Sequence, residues 1–390
     1  MTGPKILIVD DEPFNVDYLE QELEDADYTT IAAVNGQDAL DRVSSEAPDL
    51  VLLDIMMPVM DGFKVLSRLK ADPTTRHIPV IVISASNSLQ SVVRGIQLGA
   101  EDYLPKPFDP TLLHARISSS LEKKRLRDLE HQYMKGLERE LDIARQIQQG
   151  FLPSELPKLD GWEIAACFKA AREVAGDYYD AFMLPDGNLV CVVGDVCGKG
   201  VGAALFMTLF RTLIRATLKT DTDSYHQDGQ QLTPAERLQQ VITFINQYVI
   251  ETHGETGLFS TVFICILNLQ DSRLTYLNCG NEPPLILGKA GVITSLQPTG
   301  PIVGVLPEAS FTAREVSLGA DEQLFIYTDG VTDALNSADE FFGKERLLKA
   351  LGDSDTAPNL LLVNIEAQLR QFIGAAEPYD DITMLALKKG

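Results

Sequence analysis

Short, unbroken apolar runs alternate with longer mixed segments over the first third of the chain. Lys5–Val9 (KILIV), Asp49–Leu53 (DLVLL) and Pro79–Ile83 (PVIVI) are apolar runs, and Glu101–Lys106 (EDYLPK) closes the series. Between them, Val16–Glu24, Gln37–Ser44, Phe63–Lys70 and Leu89–Leu98 read as helices. Apolar strands alternating with helices predict a parallel sheet covered on both faces, an α/β fold. The last part of the chain reads differently. Ala181–Leu184 and Leu189–Val193 (LVCVV) read as strands either side of the turn Pro185-Asp186-Gly187-Asn188, whose Asp-Gly pair is hairpin chemistry. Leu324–Thr328 (LFIYT) and Met384–Leu387 are further strands, and Ala203–Leu209 reads as a helix start.

Between these regions no proline falls from Thr111 to Leu152, and Asp109 suits a helix cap. A helix over Thr111–Leu152 would run about 60 Å at ~1.5 Å per residue. Met134, Leu137, Leu141, Ala144 and Phe151 keep a 3–4 spacing, with polar Gln148 between them. That stripe predicts a coiled-coil seam and a homodimer. The alternative is the same stripe packed on the C-terminal domain. The resulting domain limits are 1–120, a helical linker over 121–152, and 153–390.

Charge narrows the function. The net charge is −23, with 9 Lys+Arg against 19 Asp+Glu in residues 1–120, 7 against 6 in 121–150, and 17 against 31 in 151–390. No basic face emerges, which argues against nucleic acid as a direct ligand. No uninterrupted apolar run reaches the roughly 18 residues of a membrane span, and Met1–Asp10 lacks a signal-peptide layout, so no membrane partner is expected. Cys167, Cys191, Cys197, Cys265 and Cys279 show no metal-ligand spacing, which suits reduced thiols in the cytoplasm.

Candidate chemistry sits at the strand ends. Asp10, Asp11, Asp54, Ser84 and Lys106 all fall at the carboxyl ends of the N-terminal strands, where such sheets bind ligands. Three crowded carboxylates repel one another, and a Mg²⁺ ion would relieve this while leaving Asp54 as an oxygen nucleophile toward phosphorus. Lys106 and Ser84 are placed to hold the new phosphoryl oxygens. The segments VDDE, LLDIMMPVMDG, ISA and DYLPKPF, in this order, resemble the receiver domain of bacterial two-component response regulators over about residues 4–120. The resemblance implies a flavodoxin-like, five-stranded parallel sheet and phosphorylation of Asp54 from a sensor histidine kinase. It also implies Mg²⁺ held by Asp11, Asp54 and the Met56 carbonyl with Asp10 in support, and a switch through Ser84 and Tyr103.

In the C-terminal region, Asp195 ends an apolar strand within the glycine-rich stretch Gly194–Gly200 (GDVCGKG). Asp177, Asp329 and Asp380 occupy comparable strand–turn junctions, with no histidine beside them. All-carboxylate ligation selects Mg²⁺ or Mn²⁺ over Zn²⁺. Two such ions sharing a carboxylate can activate a water and aim it at phosphorus. IARQIQQGFLP, AGDYYD, DVCGKG, FSTVF, NCGNEPPLI, GPIVGV, YTDGVTD and DDIT follow in one order. As a set they resemble the metal-dependent PPM (PP2C-type) serine/threonine phosphatases, in the branch of bacterial stress and sporulation regulators. That resemblance covers about residues 140–388 and implies an α+β, four-layer αββα sandwich. It makes Asp195 the bridge between two metals, with the Val196 carbonyl completing one site and Asp329 and Asp380 serving the other. Asp177 would bind or orient the metal-held water, and Arg172 would bind phosphate.

Two departures stand out. The branch usually reads DVSGHG and AGHNPP, whereas this chain has Cys197 with Lys199, and Asn281 with Glu282. If the histidine protonates the leaving oxygen, a lysine does so only with a depressed pKa. The function implied is a response regulator whose Asp54 controls a phosphatase acting on a phosphorylated anti-sigma-factor antagonist. The alternative is a weak or inactive adaptor that docks a sigma factor or its regulator under receiver control.

Overall fold

Strands that are apolar on both faces need cover on both faces, and each half of the chain meets that need in its own way. The computed structural model describes residues 3–85, 89–220, 232–289, 291–352 and 356–390. It divides into two compact units, Met1–Leu137 and Glu138–Gly390.

In the first unit the order is β1 (Lys5–Val9), α1 (Pro13–Glu24), β2 (Thr29–Ala33), α2 (Gly36–Glu46), β3 (Leu50–Asp54), α3 (Gly62–Ala71), β4 (Val80–Ser84), α4 (Leu89–Gln97) and β5 (Asp102–Pro105). α5 (Pro110–Phe151) then runs for 42 residues. The five strands form one parallel sheet in the order β2-β1-β3-β4-β5. Alternate residues face opposite helical layers. Leu7, Val9, Val51, Leu53, Val80 and Val82 pack with α2 and α3. Ile6, Ile8, Leu50, Leu52, Ile81 and Ile83 pack with α1 and with Leu113 and Ile117 of α5.

The second unit adds β6 (Trp162–Lys169), β7 (Tyr178–Met183), β8 (Leu189–Val196), α6 (Val201–Thr220), α7 (Pro234–His253), β9 (Ser260–Leu267), β10 (Arg273–Cys279), β11 (Leu285–Gly288) and β12 (Gly291–Ser295). It ends with β13 (Arg314–Ser317), β14 (Gln323–Tyr327), α8 (Gly343–Ala350), α9 (Pro358–Ile373) and β15 (Ile382–Lys389). Two antiparallel five-stranded sheets form, ordered β13-β10-β9-β8-β7 and β12-β11-β14-β15-β6. Parity again assigns the layers. Leu189, Cys191 and Val193 of β8 face Leu324, Ile326, Leu385 and Leu387 of the other sheet. Val190 and Val192 face Met207, Phe210, Leu238 and Ile242 of α6 and α7. Phe325, Tyr327 and Met384 face Leu347 of α8 and Leu361 and Ile365 of α9. The result is the four-layer αββα sandwich.

Two sequence expectations change. α6 is long and apolar enough by composition to cross a membrane, although Arg211 and Arg215 interrupt it. Its Met207, Phe210, Ile214 and Leu218 lie in a core of the second unit. The α5 stripe also divides. Gln148 is buried, its Nε2 donating to the Ala175 carbonyl at 2.7 Å and its Oε1 accepting from the Ala175 N–H at 3.0 Å. Leu141, Ala144 and Phe151 beside it are half-buried, while Met134 and Leu137 remain exposed. The end of the stripe is therefore used inside the second unit, because a buried amide needs partners and Ala175 supplies both.

Candidate functional site

In the first unit, Asp10 follows β1, Asp54 ends β3, Ser84 ends β4 and Lys106 follows β5, so all four lie at one edge of the sheet. The carboxylate oxygens of Asp10, Asp11 and Asp54 come within 4.8 Å of one another. Lys106 Nζ bridges Asp10 Oδ2 at 2.7 Å and Asp54 Oδ2 at 2.6 Å. Burial works against the ammonium, but its bonds to the two carboxylates outweigh this and raise the Lys106 pKa. Asp10 Oδ1 also accepts from the Glu12 N–H and from Asn15 Nδ2, and Asp54 Oδ1 accepts from the Met56 N–H. Tyr103 is half-buried, with its hydroxyl donating to the Ser84 carbonyl at 3.3 Å. Gly62 explains the MDG signature, since a Cβ there would fall 2.1 Å from the Asp54 carbonyl oxygen. Any side chain would push α3 off the end of β3.

The second unit gathers its carboxylates from both sheets. Asp177 immediately precedes β7 and Asp195 lies near the end of β8, while Asp329 follows β14 and Asp380 precedes β15. Asp177 is buried, and its Oδ2 accepts from the hydroxyls of Thr328 at 2.7 Å and Thr383 at 2.6 Å. Burial and the charge of Asp195 nonetheless push its pKa well up, against the pull of the two threonines. Asp195 lies within hydrogen-bonding reach of Asp177; burial, then Asp329, Asp380 and Asp381, raise it to about 7. Asp329 keeps an exposed edge, and packing of its carboxyl followed by Asp380, Asp333 and Glu282 raises it to about 6. Solvent at that edge screens the effect, so Asp195 is the better gauge of the local charge.

Four residues to which the sequence assigned no role at this centre, Asp381, Thr328, Thr383 and Glu282, lie in or beside it. Asp381 accepts from the backbone N–H of Ala171 and Gly176, each at 2.7 Å, and more weakly from Asp177 at 3.5 Å. It thereby ties the loop before β7 to the segment before β15. Thr328 and Thr383 fix Asp177. Glu282 adds a further negative charge near Asp329. A threonine beside each aspartate-bearing strand end was visible in YTDG and DDIT, but its direction was not. Gly330 serves here as Gly62 does above, because its Cβ would fall 1.8 Å from the Asp381 carbonyl oxygen.

The departures from the family pattern are structurally occupied. Lys199 Nζ lies 2.9 Å from Asp380 Oδ2, donates to the Tyr379 carbonyl and stands 4.6 Å from the Tyr379 ring centroid. Asn281 is buried and donates to the carbonyls of Glu282 and Tyr327, a structural role. Cys197 Sγ accepts from the Phe259 N–H. Arg172 is exposed on the loop whose Ala171 N–H is held by Asp381.

Both donor sets fit hard divalent cations. The receiver trio is close-packed and, among the described residues, is the one group of three or more whose ligand atoms all lie within 4.8 Å. The second set is more widely spread, and burial followed by mutual repulsion raises the pKa values of Asp177, Asp195 and Asp329, a cost that bound cations would relieve.

Comparisons with known proteins agree with this geometry. Residues 6–118 match the response regulator receiver domain, and residues 185–389 match Stage II sporulation protein E (SpoIIE). Protein IcfG of Synechocystis is 40% identical over 261 residues, covering 64% of this chain and 41% of that protein. Response regulator PleD of Caulobacter vibrioides is 46% identical over 115 residues, covering 30% of this chain and 25% of that protein. The chain thus spans less than half the length of these relatives. The SiaA-PP2C domain of Pseudomonas aeruginosa shares the fold, with a TM-score of 0.53 at 21% identity over 66% of this chain and 98% of that one. Receiver and PP2C-type domains generally use divalent metals, which suits both acidic centres. The chain belongs to the SpoIIE family of PP2C-type phosphatase domains, here fused to an N-terminal response regulator receiver domain.

Proposed function

We propose that this protein is a response regulator in which phosphorylation of Asp54 controls a metal-dependent protein-serine/threonine phosphatase. The observation that carries the reading is the convergence of Asp177, Asp195, Asp329 and Asp380 from widely separated segments, with Asp195 raised to about 7 by burial and its neighbours. Proteins rarely gather so many carboxylates around one buried aspartate, Asp177, without a counter-ion. The domain limits we propose are 1–120, 121–152 and 153–390.

In this reading Asp195, the Val196 carbonyl, Asp329 and Asp380 would hold two Mg²⁺ or Mn²⁺ ions, with Asp195 shared between them. When bound, the pair supplies an activated water and charge stabilisation at phosphorus. Asp177, held by Thr328 and Thr383, would bind or orient that water. Arg172 reaches the phosphate from its exposed loop. In the receiver, Asp11, Asp54 and the Met56 carbonyl, with Asp10 in support, would hold one Mg²⁺. Lys106 holds the phosphoryl oxygens, and Ser84 and Tyr103 pass the change to the surface. A sensor histidine kinase is the phosphoryl source implied by the receiver. The stress and sporulation branch supports a phosphorylated anti-sigma-factor antagonist as substrate, and the exposed upper stripe of α5 supports a homodimer.

Lys199 favours slow turnover. An ammonium held by Asp380 and the Tyr379 carbonyl is poorly placed to protonate a leaving oxygen. The adaptor reading takes its strength from this contact. Hydrolysis of p-nitrophenyl phosphate with Mn²⁺ separates the two: the enzyme reading expects a rate that Asp195→Ala lowers by about a thousandfold. Equal, near-background rates in both proteins would leave the adaptor.

A further inference from the structure

The second unit is acidic, with 17 Lys+Arg against 31 Asp+Glu in residues 151–390, yet residues 341–350 (FFGKERLLKA) carry three cations and one anion. Arg346 pairs loosely with Glu340 at 3.9 Å, whereas Lys344 and Lys349 are exposed and form no ion pair among the described residues. Beside them opens a groove of about 470 Å³ between α8 and α9, lined by Phe342, Arg346, Lys349, Gln368, Gln371 and Phe372. Its wall is aromatic, with Phe342 edge-on to Phe372 at 5.4 Å and the Arg346 guanidinium 4.8 Å from the Phe372 ring centroid.

A short series of contacts leads from the groove toward the carboxylate centre. Arg346 Nη1 donates to the carbonyls of Phe341 at 2.8 Å and Phe342 at 3.1 Å, fixing that segment. The Phe341 ring, 51% exposed, meets Tyr379, 47% exposed, edge-on at 6.2 Å. Tyr379 directly precedes Asp380. Two half-exposed aromatics on separate loops therefore form a shelf leading from a cationic groove to a candidate metal ligand.

We propose that the α8 cations and the Phe341–Tyr379 shelf dock an acidic segment of the phosphoprotein substrate that flanks its phosphorylated residue. This rests on the phosphatase reading and names the kind of partner the site takes. Charge complementarity carries it. An anionic segment is repelled by most of this acidic unit and attracted where Lys344, Arg346 and Lys349 gather. The aromatic shelf adds apolar contact area where the partner's backbone crosses toward the phosphate.

The test uses the full chain and two labelled phosphoserine peptides that differ only in a run of glutamates or of glutamines beside the phosphoserine. Fluorescence anisotropy reads binding, and p-nitrophenyl phosphate hydrolysis is followed in parallel. The glutamate peptide should bind about tenfold more tightly, a preference that high salt and the Lys344→Glu/Lys349→Glu double variant both remove. Phe341→Ala should weaken both peptides by a similar factor. The double variant alters exposed side chains, so its p-nitrophenyl phosphate rate should match the parent's. Equal affinity for the two peptides, or a preference that survives charge reversal, overturns the proposal. A double variant that changes the molar mass in light scattering while peptide affinity holds would assign the face to a second copy of this chain, which also overturns it. A glutamate preference without any phosphate hydrolysis would sink the phosphatase reading and leave the docking surface standing.

Discussion

Each unit of this protein builds an acidic centre and each places one lysine beside it, but the two lysines do different work. Lys106 is largely buried and bridges two buried carboxylates, Asp10 and Asp54. Lys199 is about one-third exposed and pairs with a single carboxylate, Asp380, itself about one-third exposed. The receiver centre is thus partly neutralised from within and close-packed around three carboxylates. In the phosphatase-family centre no cation among the described residues pairs with Asp177, Asp195 or Asp329, and burial first, then the neighbouring carboxylates, raise their pKa values. One centre carries a cation of the chain at its heart, whereas the other, in the proposed function, recruits metal cations.

The sharpest way to break this comparison is to remove each lysine's charge. Lys106→Met strands two buried carboxylates and should destabilise the first unit by about 3–5 kcal/mol. Lys199→Met loses a solvent-screened pair and should cost less than about 1 kcal/mol. Hydrogen exchange of the β1 and β3 amides, against those of β8 and β15, reads the two units separately. Similar losses in both would erase the distinction.

Next in size is Asp381→Ala. It leaves the N–H groups of Ala171 and Gly176 without their acceptor, at about 1–3 kcal/mol each if they stay buried. The loop carrying Arg172 and Asp177 should loosen, and p-nitrophenyl phosphate turnover should fall at least about tenfold. Unchanged turnover would mean that Asp381 does not position the centre.

A smaller effect is expected from pH. An unfolded aspartate titrates near 3.8, whereas folded Asp195 lies at about 7 and Asp329 at about 6. Between those values the folded protein keeps protons that the unfolded chain has released. These two groups therefore favour the folded state at low pH, and that contribution is lost as pH rises toward 7. Chelator-treated protein should melt a few degrees higher at about pH 5.5 than at about pH 8, with Mn²⁺ narrowing the gap. A melting temperature that rises with pH in the chelated protein would contradict the charge imbalance.

Much of this was legible from the pattern of apolar runs. β1, β3, β4, β8, β14 and β15 are buried on both faces, so their sequences are nearly continuous in apolar residues. β2 escaped because it is an edge strand, Thr29–Ala33, mostly half-buried and without an apolar run. The carboxylates at strand ends were visible because strand ends are where these sheets present side chains. The partners that hold them were hidden for a physical reason. In Asp380-Asp381 one carboxylate faces Lys199 and the other turns back to the Ala171–Asp177 backbone. Only the tertiary approach of the two segments decides which does which. Gln148 is similar, since an amide within an apolar stripe signals a buried partner, but Ala175 lies 27 residues away.

The most direct test of the account is a calorimetric titration of Mn²⁺ into the full chain, into Asp195→Ala and into Asp54→Asn. The account predicts that Asp195→Ala loses the paired sites of the second unit and retains the receiver ion, while Asp54→Asn loses the receiver ion and retains the pair. An Asp195→Ala protein that binds as much Mn²⁺ as the parent would contradict the claim that this carboxylate joins a two-cation centre.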